Sequence, residues 1–106
     1  MNKEKLIEIS KEVRKDIIEM LYESKSGHPG GSLSCADIMT YLYFEKMNIN
    51  IENPKDENRD RFVMSKGHAA PALYAVLDEK GFFESVKLIW KNSLIFHRIA
   101  RSLKII

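Results

Sequence analysis

Between residues 24 and 32 the chain reads Ser-Lys-Ser-Gly-His-Pro-Gly-Gly-Ser, and three glycines and a proline crowd into the five positions from Gly27 to Gly31. A helix interior tolerates neither residue well, so no single helix is expected to run through this stretch. Before it, Leu6, Ile9, Val13, Ile17, Met20 and Leu21 recur at helical spacing among Lys and Glu. That pattern predicts an amphipathic helix over residues 3–24, with Asn2 as its N-cap. After it, Ser34 followed by Asp37 reads as a short capping box, and Ile38, Met39, Leu42, Tyr43 and Met47 continue at helical spacing. A second helix is therefore expected over 34–47. The segment between the two is expected to be a loop that can take positive φ and approach a ligand closely.

The second half of the chain is punctuated in the same way. Residues 48–60 are rich in Asn, Asp and Glu and contain Pro54, the composition of a surface connection. Arg61-Phe62-Val63-Met64-Ser65 is a short apolar run between turn signals, which predicts one buried strand. Lys66-Gly67-His68 then turns the chain. A third helix is expected over 69–80, with Pro71 in its first turn and Gly81 at its C-terminal end. The residues thus describe a mostly helical chain with one short strand.

Charge divides the chain near Phe83. Residues 84–106 carry five Lys or Arg against the single acid Glu84, whereas the first 83 residues carry twelve bases against fourteen acids. The net charge of +2 is too small to point to a nucleic-acid or membrane partner. The tail holds apolar residues from Val86 to Ile106 in a loosely helical pattern, so a helix is expected there, poorly segregated for lying on a membrane. Cys35 is the only cysteine, which excludes an internal disulfide and fits a reducing compartment, the cytoplasm by default. The start Met-Asn-Lys-Glu-Lys lacks the apolar stretch of a signal peptide, and no apolar run reaches transmembrane length.

Two histidines are the candidates for chemistry. His28 lies in Gly-His-Pro-Gly-Gly between two helices, and His68 lies in Ser-Lys-Gly-His-Ala after the expected strand and at the start of a helix. Ligands of α/β proteins sit outside the carboxyl ends of strands, and a helix N-terminus offers free N–H groups to a phosphate. His68 and the amides near Ala69 can therefore hold an anionic group. On residue type alone, a Gly-His pair is more often simply a loop. Neither histidine stands at a metal-ligand spacing, so no metal ligand is assigned. Cys35 reads as a small core residue, and Glu45, Asp56 and Glu57 as solvated surface.

The strings themselves carry a resemblance. Ser26-Gly27-His28-Pro29-Gly30-Gly31-Ser32-Leu33-Ser34, followed by Asp60-Arg61-Phe62-Val63-Met64-Ser65-Lys66-Gly67-His68-Ala69-Ala70-Pro71-Ala72-Leu73-Tyr74-Ala75, resembles the N-terminal segment of the transketolase family in order and separation. The resemblance covers about residues 5–83 and looks most like the split form, in which N- and C-terminal halves are separate chains. It implies the α/β thiamine-diphosphate-binding fold and a dimeric enzyme of the pentose phosphate pathway. Such an enzyme transfers a two-carbon ketol unit between sugar phosphates. It further implies thiamine diphosphate with a divalent metal, Mg²⁺, as cofactors. His28 matches the family histidine that contacts substrate and assists proton movement, a catalytic and substrate-binding role. His68 matches the histidine that contacts the cofactor diphosphate.

The family's Gly-Asp-Gly metal and diphosphate segment, its further Gly-His-Pro motif and its pyrimidine-binding half have no counterpart in this sequence. His97 matches none of them and receives no role. Residues 1–83 are accordingly read as a truncated transketolase N-terminal domain, and 84–106 as a basic apolar tail unlike the family. A shifted reading frame or a gene truncation would produce both changes near Phe83. The chain alone is expected to be inactive, with a C-terminal transketolase chain as the candidate partner. The alternative is a non-catalytic remnant or interaction module.

Overall fold

The computed structural model describes residues 1–24 and 28–82. Helix α1 spans Lys3–Ser24, α2 spans Pro29–Tyr41, and α3 spans Ala70–Lys80. The helix expected over the tail, and His97 with it, lie outside the described residues.

Local sequence accounts for α1. The Lys5 amide donates to Asn2 Oδ1 at 2.8 Å, so Asn2 caps the helix as its residue type predicts. Val13, Ile17 and Met20 are almost wholly buried on one face, with Ile9 and Leu21 packed beside them.

α2 begins five residues earlier than the expected Ser34 start. Pro29 occupies its first turn, where a fixed φ suits the helix and the missing N–H costs nothing. Gly30 and Gly31 are therefore helical rather than part of a loop. Ser34 is not a cap. Its hydroxyl donates back to the Gly31 carbonyl at 3.0 Å.

Past Tyr41 the helix widens into a π turn over Leu42–Lys46, closed by the Met47 amide on the Leu42 carbonyl at 2.8 Å. The turn buries Tyr43, whose ring meets Phe62 edge-on with centroids 6.1 Å apart. Burial raises the Tyr43 phenol above its ordinary range.

α3 is the central element. Six consecutive residues, Ala72 to Leu77, are buried on all sides of the helix, against Val13, Ile17 and Met20 of α1 and Ala36 and Met39 of α2. The alanines among those six positions let the neighbouring helices approach closely. Gly81 ends it as expected, at φ 106°, with the Phe82 and Gly81 amides bonding back to Leu77 and Asp78 carbonyls.

The polar connection is closed reciprocally, the Asn48 amide on Asp60 Oδ2 at 2.6 Å and the Asp60 amide on the Asn48 carbonyl at 2.9 Å. Residues 61–65 then depart from expectation. They alternate as a strand does, with Phe62 and Met64 half-buried and Val63 exposed. Yet among the described residues there is no strand, because no second extended segment lies alongside to complete a ladder. The described residues are helical, and the expected α/β sheet is not seen among them.

Where α1 meets α3, three carboxyls converge. Ligand atoms of Asp16, Asp78 and Glu79 lie within 4.8 Å of one another. Burial, then a hydrogen bond and repulsion from Glu79, then repulsion from Asp78 and Glu19, lift the Asp16 carboxyl from 3.8 to about 8. Between those two values the folded chain binds a proton that the unfolded chain has released, so stability falls as pH rises through the window. With allowance for partial solvent exposure, Asp16→Asn should gain on the order of 1 kcal/mol at pH 8–9, roughly 4–8 °C in Tm. Thermal melts at pH 5 and pH 9 check this. The wild-type Tm should drop more steeply than that of the variant, and parallel slopes would contradict it.

Candidate functional site

The two histidine-bearing segments are brought together by contacts that span 35 residues of sequence. His28 sits at the N-cap of α2 with extended backbone, φ −116° and ψ 127°, and its side chain does not cap the helix. His68 lies in a short 3-10 turn, Gly67–Ala69, that leads into α3. His68 is exposed.

Gly31 is the point of closest approach. A Cβ placed there would lie 2.7 Å from both Cδ2 and Nε2 of His68, well inside van der Waals contact. The imidazole edge therefore rests on the first turn of α2 because residue 31 has no side chain. Gly30 has open space around the same position, so sterics demand glycine only at 31.

Lys66 makes the second bridge. Its ammonium donates to the Gly31 carbonyl at 2.8 Å and to Ser34 Oγ at 3.3 Å. Such a charge-assisted bond is stronger than a neutral one. The Gly31 carbonyl also accepts from Ser34 Oγ at 3.0 Å and from Cys35 Sγ at 3.5 Å. Cys35 is half-buried against the core, as its residue type suggests.

The resulting surface is electropositive. The first-turn amides of α2 have no carbonyl partner within the helix, and the helix dipole adds partial positive charge there. Lys66 and His68 stand beside that turn. The amides near Ala69, expected to face an anion, are instead used internally. The Ala69 amide donates to the Lys66 carbonyl at 3.0 Å, and the Ala70 amide to the Gly67 carbonyl. The free amides are those of the Gly30–Gly31 turn, a shift caused by the 3-10 turn ahead of α3.

Lys66 and Gly31 were not legible as site residues. Each forms its decisive contact across the chain, and the only local sign was their place inside the two strings. The acidic trio of Asp16, Asp78 and Glu79 belongs elsewhere. Asp78 and Glu79 follow His68 by ten and eleven residues, roughly 15 Å along α3. Of the expected surface acids, Glu45 is exposed but pairs with the N-terminal ammonium at 2.9 Å.

Residues 3–93 match the family described as the transketolase thiamine diphosphate binding domain. The match ends inside the 84–106 segment. Among similar proteins, an apulose-4-phosphate transketolase subunit of Phocaeicola vulgatus is 51% identical over 73 residues, 69% of this chain and 26% of that protein. A 6-deoxy-6-sulfo-D-fructose transketolase subunit of a Clostridium species is 48% identical over 71 residues, 67% of this chain and 26% of its own length. Human transketolase is 48% identical over 64 residues, 60% of this chain and 10% of the human protein. The chain thus spans about a quarter of the length of the subunit relatives it matches.

A methyl group at residue 31 should displace the His68 ring without unfolding the chain. Gly31→Ala would push only an exposed ring aside, while a helical alanine gains up to about 1 kcal/mol over glycine. The melting temperature is therefore expected to hold or rise while the His68 ring proton resonances shift. A large loss of stability, or unmoved His68 resonances, would contradict the contact.

Proposed function

Because the chain belongs to the transketolase family, as part of its thiamine diphosphate binding domain, we propose that it supplies the diphosphate-facing and substrate-facing histidines of a ketol-transferring enzyme. The single observation that carries the reading is the approach of His68 and Lys66 to the first turn of α2. It gathers basic groups and free amides at the end of the helix that also bears His28.

That grouping fits a diphosphate. His68 would face its oxygens, with the positive charge of Lys66 nearby, and the Gly30–Gly31 amides would donate to them, with no side chain at either position to obstruct the approach. When bound, thiamine diphosphate supplies carbanion stabilisation that protein side chains lack. His28 is the proton carrier. Its imidazole would accept the proton of a donor hydroxyl as the adjacent carbon–carbon bond breaks and that oxygen becomes the aldehyde of the leaving sugar. It would give the proton to the alkoxide that forms on the acceptor aldehyde when the new carbon–carbon bond is made. At the N-cap its side chain is not engaged by the helix, which leaves the ring to the substrate.

A divalent ion, expected as Mg²⁺, finds no fitting donor set beside the two histidines among the described residues. In the trio on α1 and α3, Asp78 and Glu79 lie ten and eleven residues beyond His68, roughly 15 Å along α3. No step is therefore assigned to a metal. Ketol transfer between sugar phosphates is the proposed reaction, with the rest of the site coming from further polypeptide. Two relatives named as transketolase subunits support a partner chain. So do Ile38, Val63 and Tyr22, apolar side chains that stand exposed on the described residues. No helix among the described residues is long and apolar enough to cross a membrane. With its lone thiol, the chain is proposed to act in the cytoplasm and to show no turnover by itself.

A chimaera tests the reading. Residues 3–82 replace the corresponding stretch of the Phocaeicola protein, which is assayed for ketol transfer with its partner present. Activity should survive the exchange. His68→Ala should weaken thiamine diphosphate binding about 10- to 100-fold, the loss of a hydrogen bond to a charged group. His28→Ala should lower kcat by about 10²-fold or more with little change in cofactor affinity. Unchanged kinetics in both variants would refute the assignments.

A further inference from the structure

We propose that Lys66 is a positioning residue, holding the His68 imidazole in register against α2 by clamping the Gly31 carbonyl. The residue acts at both ends. Its ammonium bonds to Gly31 at 2.8 Å, and its own carbonyl accepts the Ala69 amide at 3.0 Å, the bond that shapes the turn on which His68 sits. One residue thus ties the first turn of α2 to the turn before α3.

The clamp is needed because, among the described residues, no other polar contact orients the ring. Ala69 is completely buried and sets how deep the turn sits. His68 itself is exposed, and among the described residues no hydrogen bond reaches its imidazole. Its contact with Gly31 is purely steric and supplies no direction. A lysine ammonium is normally left in water, since ordering its long stem costs rotamer freedom. It also lies here near the positive end of a helix, where a cation is disfavoured. The Gly31 carbonyl and Ser34 hydroxyl offset that by giving it two acceptors, and Ser34 in turn donates to the same carbonyl. Removal of the charge should therefore free the turn to rotate while Ala69 stays buried. His68 would then leave Gly31. The role of what is positioned rests on the diphosphate reading above; the clamp itself does not.

The experiment compares the full 106-residue chain with its Lys66→Met and Lys66→Arg variants by NMR and thermal melting. Methionine keeps most of the stem and loses the charge; arginine keeps the charge and can reach the same carbonyl. The wild type should show an Overhauser contact between the Gly31 α-protons and the His68 ring. Lys66→Met should lose that contact with α1–α3 signals in place, and Lys66→Arg should restore it. Persistence of the contact in Lys66→Met would overturn the proposal. So would its absence from the wild type, its loss in Lys66→Arg, or global unfolding of Lys66→Met, which would make Lys66 a structural residue. Thiamine diphosphate binding to the chimaera, with its partner present, reports separately. If it fails to bind there, the diphosphate reading is refuted while the Gly31–His68 result stands.

Discussion

A histidine ring resting on a helix backbone is possible only where that backbone has no side chain, and the arrangement of this chain depends on one such place. Gly31 presents a bare Cα to the His68 imidazole, and its carbonyl receives the Lys66 ammonium. Through these two contacts the start of α2 and the start of α3 become neighbours. His28 stands at the N-cap of the same helix, so both histidines belong to one end of it.

The three-helix packing makes that neighbourhood durable. α3 is buried over Ala72–Leu77 by α1 and α2 together, so its N-terminal end cannot drift far from α2. Alanine at 72 and 75 brings the axes close, and Ala36 does the same from α2. The same seam carries a cost. Asp16 is drawn toward Asp78 and Glu79 and keeps its proton well above the ordinary carboxylate range, so the packing weakens as pH rises from about 4 to about 8.

Features written in a few adjacent residues were legible in the sequence. Asn2 caps α1, the Val13–Ile17–Met20 face is buried, and Gly81 ends α3 in the left-handed region. Features set by distant contacts were not. Pro-Gly-Gly reads locally as a break, yet Pro29 starts a helix and Gly31 is held in it by the need to admit His68. Phe62 and Met64 alternate with Val63 as in a strand, but a strand requires a ladder partner that no pattern of its own can supply. The histidines stood out because each lies beside glycine. Lys66 did not, because its acceptor is 35 positions away. Membership of the transketolase family gives the shared surface a chemical meaning without altering those contacts.

The close approach of Gly31 and His68 is tested most directly by a double-mutant cycle in stability. Gly31→Ala is introduced into the wild type and into His68→Ala, and all four chains are melted under one buffer condition. With the large ring removed, alanine at 31 should gain more than it does beside His68, a coupling of at least about 0.5 kcal/mol. Additivity within about 0.3 kcal/mol would mean that the two residues do not touch, and would contradict the account.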